Sequence, residues 1–329
     1  MSIIIVSCIS KFDGDPDAER WDQTMIDTMT DEAFKGNPTP VFELDPSEYS
    51  EWPALTVLQT IARELNQSYT VFVKRSEEGQ DYTKYLIRSF TLDKEESFCG
   101  HGIMGAALVL GQRFAAGGRQ MIFETVGGIR VDGYMVSAQS SDSVEGECGK
   151  VCTVKLEIPA EPVKEWFDDD VELREIISKC LGVEKAQILA LGRNALMDLV
   201  IEMSEDVDFS AESMTVDAVG LMNASPSETR SQIITSKGGR YGVDFAKRVF
   251  AYGGEDQATG STYCVLIPYW ASRLSKTAMK VKQVSARTGM VDAESITSKE
   301  GYVAVTGSGI TVMQGKMLVP EHSPHEKGP

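Results

Sequence analysis

Glu95-Glu96-Ser97-Phe98-Cys99-Gly100-His101-Gly102 decides how this chain folds. The run Ile103 to Leu110 follows it without a single charge. Glycines at 100 and 102 ahead of that run predict a tight turn opening a helix. A helix that is apolar all round has to be buried. A thiol and an imidazole therefore stand at the mouth of a buried helix. The stretch also has an echo. A shift of 160 positions pairs Arg88 with Arg248, Phe90 with Phe250, Glu95 with Glu255, Glu96 with Asp256, Cys99 with Thr259 and Gly100 with Gly260. The same shift pairs Val131 with Val291 and Asp132 with Asp292. A repeat whose period is half the chain predicts two like domains face to face, not a solenoid.

Outward from this pair, each half reads as short strands around one central helix. Before the first turn, strands are predicted at Ile3 to Ile9, Val41 to Leu44, Tyr69 to Lys74 and Lys84 to Thr91. Lys11 to Met29 reads as an irregular acidic insertion, and Pro53 to Leu65 has helical apolar spacing. The first central helix is predicted to run to about Phe114, stopped by Gly117-Gly118. A hairpin follows, Met121 to Thr125 with Gly128 to Met135. Ser137 to Gly149 reads as a linker.

In the second half, strands are predicted at Cys152 to Ile158, Ile188 to Leu191, Asp198 to Met203, Gln232 to Ser236 and Phe245 to Tyr252. Helices are predicted at Val171 to Leu181 and near Thr215 to Met222. The second central helix spans about Ser261 to Leu274, with Pro268 inside it. Closing strands are predicted at Lys280 to Ser285, Gly289 to Asp292, Tyr302 to Thr306 and Ile310 to Gln314. The expected fold is α+β: two pseudo-symmetric domains, each a β-barrel-like sheet wrapped around a central helix. Their bounds are 1–136 and 150–319, with a linker at 137–149 and a tail at 320–329.

Composition narrows the function. The chain has 329 residues, 42% hydrophobic and 25% charged, which suits an ordinary globular protein with two cores. A net charge of −17 argues against a nucleic-acid or anionic-membrane partner, since both need basic patches. No stretch approaches the roughly 18 apolar residues of a membrane span. Met1 to Ser10 lacks a basic start and reads as a strand, not a signal peptide. A cytoplasmic protein with reduced thiols is expected. Of six cysteines only Cys148 and Cys152 are close, and the histidines are His101, His322 and His325, so no metal site is expected.

A helix N-terminus offers unpaired N–H groups and a partial positive charge. Two facing each other make a seat for a carboxylate. Gly100, Gly102 and Gly260 let backbone approach a ligand. Cys99 and His101 sit where a helix end would lower a thiol pKa. Asp256, Thr259 and Ser261 stand at the opposite mouth. Acid and base groups on both sides of a bound carboxylate suit proton removal and return. Taken singly, Cys99 is a small buried residue and Asp256 a turn residue; the repeat is what joins them.

At these residues the chain resembles the phenazine-biosynthesis PhzF-like family of the diaminopimelate epimerase superfamily. The resemblance is carried by Thr30 to Val41, Ile61 to Phe72, Ile87 to Thr91, Cys99-Gly100-His101 and Phe123 to Gly128. Glu255-Asp256, Thr259-Gly260-Ser261, Tyr269-Trp270 and Gln283 to Gly289 complete it. It implies a homodimer and cofactor-independent isomerisation of a small carboxylated substrate by proton transfer. It implies catalytic roles for His101 and Asp256, with Cys99 beside them. It places Asn37, Ser68, Gly100, Gly102, Thr259, Gly260 and Ser261 around the substrate. The family's Asn-x-Ser-Glu-Thr glutamate is replaced here, in Asn66-Gln67-Ser68-Tyr69-Thr70, by Tyr69. A phenol with a pKa of about 10 is a poor base at neutral pH. Altered chemistry and lost proton shuttling both stay open. Cys99-Gly100-His101-Gly102 is also similar to the first cysteine motif of proline racemases, and Thr259 at the second position to trans-3-hydroxyproline dehydratases. A dehydratase with Cys99 as sole base is thus an alternative, and a non-catalytic ligand-binding homologue is another.

Overall fold

The computed structural model describes residues 18–114, 118–138 and 149–320. The expected strand at Ile3 to Ile9, the Gly117 stop, most of the linker and the tail beyond Pro320 lie outside the described residues. The first half runs β1 (Arg20–Thr28), β2 (Asn37–Leu44), α1 (Leu55–Leu65), β3 (Thr70–Glu78), β4 (Tyr82–Phe90), β5 (Glu95–Glu96), α2 (Gly100–Gly111), β6 (Gln120–Thr125) and β7 (Arg130–Ala138). Then come β8 (Val151–Pro159), β9 (Glu165–Trp166), α3 (Val171–Leu181), β10 (Ile188–Arg193), β11 (Asp198–Met203), α4 (Ala218–Ala224), β12 (Ser231–Lys237), β13 (Phe245–Ala251) and β14 (Gly254–Asp256). The chain ends with α5 (Tyr263–Leu274), β15 (Ala278–Gln283), β16 (Gly289–Ser295) and β17 (Tyr302–Leu318).

The repeat in sequence is a repeat in topology. In the first half β2 and β3 pair in parallel across α1, and β4 and β6 across α2. In the second, β11 and β12 pair in parallel across α4, and β13 and β15 across α5. Helical crossovers are what parallel neighbours require. The matched turns share a register: Ser89 faces Glu96 and Phe90 faces Glu95, as Val249 faces Asp256 and Phe250 faces Glu255.

Ladders join β1, β2, β3, β4, β6, β7, β8 and β17 in turn, and β17 returns to β1. This closed ring encircles α2, all of which is buried except Val109. The fold is the α+β arrangement expected. The second half is a sheet from β10 to β17 around α5. Among the described residues no ladder closes it, and the chain after β8 crosses the gap with single bonds. One explains how Pro268 is tolerated inside α5. Proline has no N–H, so the Cys264 carbonyl one turn earlier loses its helical donor. The Glu161 amide donates to that carbonyl at 2.9 Å. Among the described residues, no helix is long and apolar enough to cross a membrane.

Two expectations need correction. Arg20–Thr28, within the stretch expected to be an irregular insertion, is a strand paired with both β2 and β17. Its buried Asp27 hid the pattern, because that carboxylate is satisfied from afar by Arg287 Nη2 at 2.8 Å. The two closing strands Tyr302 to Thr306 and Ile310 to Gln314 are one strand, β17. Gly307 and Gly309 between them are not a turn. A Cβ on Gly307 would stand 2.7 Å from Met104 Sδ, and one on Gly309 2.5 Å from Leu108 Cδ1. Glycine there lets α2 lie directly on the sheet.

Candidate active site

The two central helices begin against each other. A Cβ on Gly100 would lie 2.5 Å from the Gly260 carbonyl carbon and the Ser261 nitrogen. A Cβ on Gly260 would collide with the His101 nitrogen. Both glycines are therefore needed for close backbone approach. Among the described residues, the amides of Gly100, His101, Gly260 and Ser261 bond to no acceptor. Four free amides thus lie close together, two at the start of α2 and two in the loop just ahead of α5.

Each mouth hangs from an Arg–Glu clasp. Arg88 Nε and Nη2 donate to Glu95 Oε1 and Oε2, both at 2.6 Å. Arg248 Nε and Nη2 donate to Glu255 Oε1 and Oε2 at 2.6 and 2.7 Å. Bidentate pairs of this kind fix a loop as well as a charge. Across the rim, Tyr252 Oη donates to Glu96 Oε1 at 2.6 Å.

Beside the helix starts lies a cavity of about 430 Å³ lined by Ser68, Tyr69, Cys99, His101, Arg230, Tyr252, Asp256, Thr259 and Ser261, among others. On the first half's side, Cys99 is the N-cap of α2 and its Sγ accepts the Gly102 amide at 3.4 Å. Gly102 thus gives its amide to the thiol. His101 Nδ1 lies 3.6 Å from that sulfur, and the Tyr69 ring meets the imidazole edge-on at 5.1 Å. Cys99 is 3% exposed and His101 2%.

Burial sets the protonation of all three. It pushes the Cys99 thiol and the Tyr69 phenol up and the His101 imidazole down. The thiol pKa lowered by a helix end, expected from sequence, is not found. Desolvation outweighs the single Gly102 amide, and Asp256 and Glu96 push the same way. At neutral pH this wall presents a thiol, a phenol and a neutral imidazole.

The facing wall is different. Asn37 Nδ2 donates to Asp256 Oδ1 at 2.8 Å, and Thr259 Oγ1 to Oδ2 at 2.6 Å. Ser68 Oγ donates to Asn37 Oδ1 at 3.1 Å, so Asn37 stands behind Asp256 as a link between the halves. Gln283 Nε2 donates to the Asp256 carbonyl at 2.6 Å and its Oε1 accepts the Thr259 amide at 2.8 Å.

Sequence reasoning missed Lys247, which is fully buried beneath this mouth. Its Nζ donates to the Thr259 carbonyl and, at 2.6 Å, to Thr262 Oγ1. Burial pulls it down to about 7, with Asp256 opposing. The shift of 160 places it on Ile87, and that mismatch was its only signal. Arg230, also missed, is out of step with that shift, because β12 is displaced by two residues relative to β3. Among the described residues, no three His, Cys, Asp or Glu side chains are grouped to hold a metal ion.

A family model described as phenazine biosynthesis-like protein matches residues 26–315. The chain is 31% identical to a protein of Pseudomonas aeruginosa named an uncharacterized isomerase, over 89% of this chain and 96% of that one. It is 30% identical to an uncharacterized isomerase of Halalkalibacterium halodurans, over 90% and 97%. The crystal structure of an Enterococcus faecalis phenazine biosynthesis protein of the PhzF family superposes with a TM-score of 0.70 at 25% identity, covering 92% of this chain and all of that one.

Proposed function

The chain belongs to the phenazine biosynthesis-like family, and on that premise we propose that it is an isomerase acting on a small carboxylic acid by proton transfer. The substrate carboxylate sits on the amides of Gly100, His101, Gly260 and Ser261. Asp256, on one side, takes a proton from a substrate carbon. The Cys99–His101 pair, on the other, returns one to a second carbon as the double bond shifts. The substrate loses one proton and gains one; Asp256 then gives its proton to solvent and the Cys99–His101 pair takes one back, so the cycle closes without a redox partner. The observation that carries this reading is the juxtaposition of four unpaired amides with a carboxyl group on one side and neutral donors on the other. Tyr69, kept neutral by burial, serves as a hydrogen-bond donor, and the role of the family's glutamate passes to Asp256.

The test is exchange in deuterated water. Solvent deuterium is expected in recovered substrate or product, and to be lost in Asp256→Asn and reduced in Cys99→Ala. A bound acid that exchanges no deuterium in the wild type refutes the isomerase. Exchange lost only in Cys99→Ala, with elimination of hydroxide, would instead favour a dehydratase with one thiol base.

A further inference from the structure

We propose that Arg230 is a second anion seat in the cavity, so that the substrate is a small dicarboxylate. This rests on the reading above, in which the first carboxylate occupies the helix starts.

Arg230 immediately precedes β12 and lines the cavity with Ser231, Tyr69 and Tyr252. Its guanidinium is held from behind. Nε and Nη2 donate to Asp198 Oδ1 and Oδ2 at 2.8 and 2.7 Å. The Asp198 side chain is 0% exposed and Arg230's is 27%. Asp198 also accepts from Ser231 Oγ at 2.7 Å and from Asn194 Nδ2 at 3.2 Å. With both oxygens loaded, that carboxylate fixes the plane of the guanidinium.

A guanidinium has five N–H donors, and this fork uses two. Among the described residues, Nη1 has no hydrogen-bond partner. Nη1 and the outer N–H of Nη2 form a second fork, whose spacing suits the two oxygens of a carboxylate. Arg230 is the arginine among the residues that line the cavity.

The neighbouring cations are otherwise engaged. Lys94 pairs with Glu96 at 3.0 Å. Arg248 is taken by Glu255 and by the carbonyls of Phe209 and Met214. Lys247 lies beneath the second helix start. The repeat separates Arg230 from the scaffold as well. By register its counterpart in the first half is the uncharged Ser68, since Gln232 faces Phe250 as Thr70 faces Phe90. A cavity of about 430 Å³ leaves room for a molecule that reaches both seats.

The test is titration calorimetry with the diacids from malonate to adipate and with monoacids of the same length. The wild type is expected to bind its best diacid at least tenfold tighter than the matching monoacid. The double variant Arg230→Gln, Asp198→Asn keeps buried hydrogen bonds without the charges. In it the diacid advantage should fall to about twofold or less while monoacid affinity stays. Arg230→Lys keeps the ion pair but not the fork, and should lose most of the advantage too; it serves alone if the double variant does not fold. A diacid advantage that survives in the variant, or monoacid binding with no diacid advantage in the wild type, overturns the Arg230 seat and leaves the first seat standing. If the wild type binds none of these acids, the carboxylate reading of the helix starts fails, and this inference with it.

Discussion

At the first helix start, Arg88 clasps Glu95, the helix begins directly at Gly100, and the groups on the cavity are Cys99, His101 and Tyr69. At the second, Arg248 clasps Glu255 through the same atoms, but the helix begins later, at Tyr263. The loop Thr259 to Thr262 is held instead by Lys247, Gln283 and Asp256. The groups on the cavity there are Asp256, Thr259 and Ser261, with Arg230 beyond. What the two copies share is the machinery that positions a mouth: clasp, register and glycine. What they do not share is the set of groups that meets a ligand. On the proposed reading, a duplicated scaffold supplies two like seats for one carboxylate while a neutral wall faces Asp256, and proton transfer would use that difference.

Six substitutions probe this contrast. The largest effect is expected from Asp256→Asn. Removing a positioned acid or base costs about 10²–10⁴-fold. Deuterium exchange should fall by that much, with the circular dichroism unchanged. Cys99→Ala, on the other wall, should reduce exchange less, because His101 remains beside it. Equal losses would mean that the two walls act as one unit.

The clasps come next. Arg248→Met should cost about 3–5 kcal/mol in urea unfolding, the range for breaking a buried pair. Its side chain is 4% exposed and also donates to the Phe209 and Met214 carbonyls at 3.1 and 2.8 Å. Arg88→Met should cost less, since that side chain is 13% exposed. The reverse order would show that the first mouth, not the second, is the more tightly built.

Gly260→Ala should destabilise by about 1–3 kcal/mol, as overpacking does, because the new methyl meets the His101 nitrogen. Monocarboxylate binding should weaken with it, since the amides are pushed apart. Unchanged binding would remove the helix starts as the seat.

The smallest effect belongs to Lys247 and depends on pH. Its pKa falls from 10.5 to about 7 on folding. Between those values the unfolded chain keeps the proton that the folded chain has released, so this group's contribution to stability rises with pH and is least below about 7. The slope is at most about 1.4 kcal/mol per pH unit. Lys247→Met should lose this rise, seen as a wild-type-minus-variant difference that grows from pH 7 to 9. A difference independent of pH would mean a lysine charged throughout. The aligned residue, Ile87, gives the first mouth no such dependence.

Much of the framework was legible because it is local. The shift of 160 found the two turns, apolar spacing found α1, the uncharged run found α2, and α3 and α5 were placed to within a few residues. Asp256, Asn37, Ser68 and Thr259, separately named, prove to be one hydrogen-bonded chain. β1 was not legible, since its Asp27 is neutralised by an arginine 260 residues away. Nor was the continuity of β17, because glycine in a strand looks the same whether it makes a turn or admits a helix.

The sequence by itself determined the duplication, the buried central helices and the residue types at each mouth, because each follows from spacing along one chain. Only the tertiary structure decided which atoms meet and in what state. The Asn37–Asp256 bond joins residues 219 apart. The protonated thiol, the neutral imidazole and the depressed lysine all follow from desolvation. Desolvation is a property of the packed interior, and no local pattern in the sequence carries it.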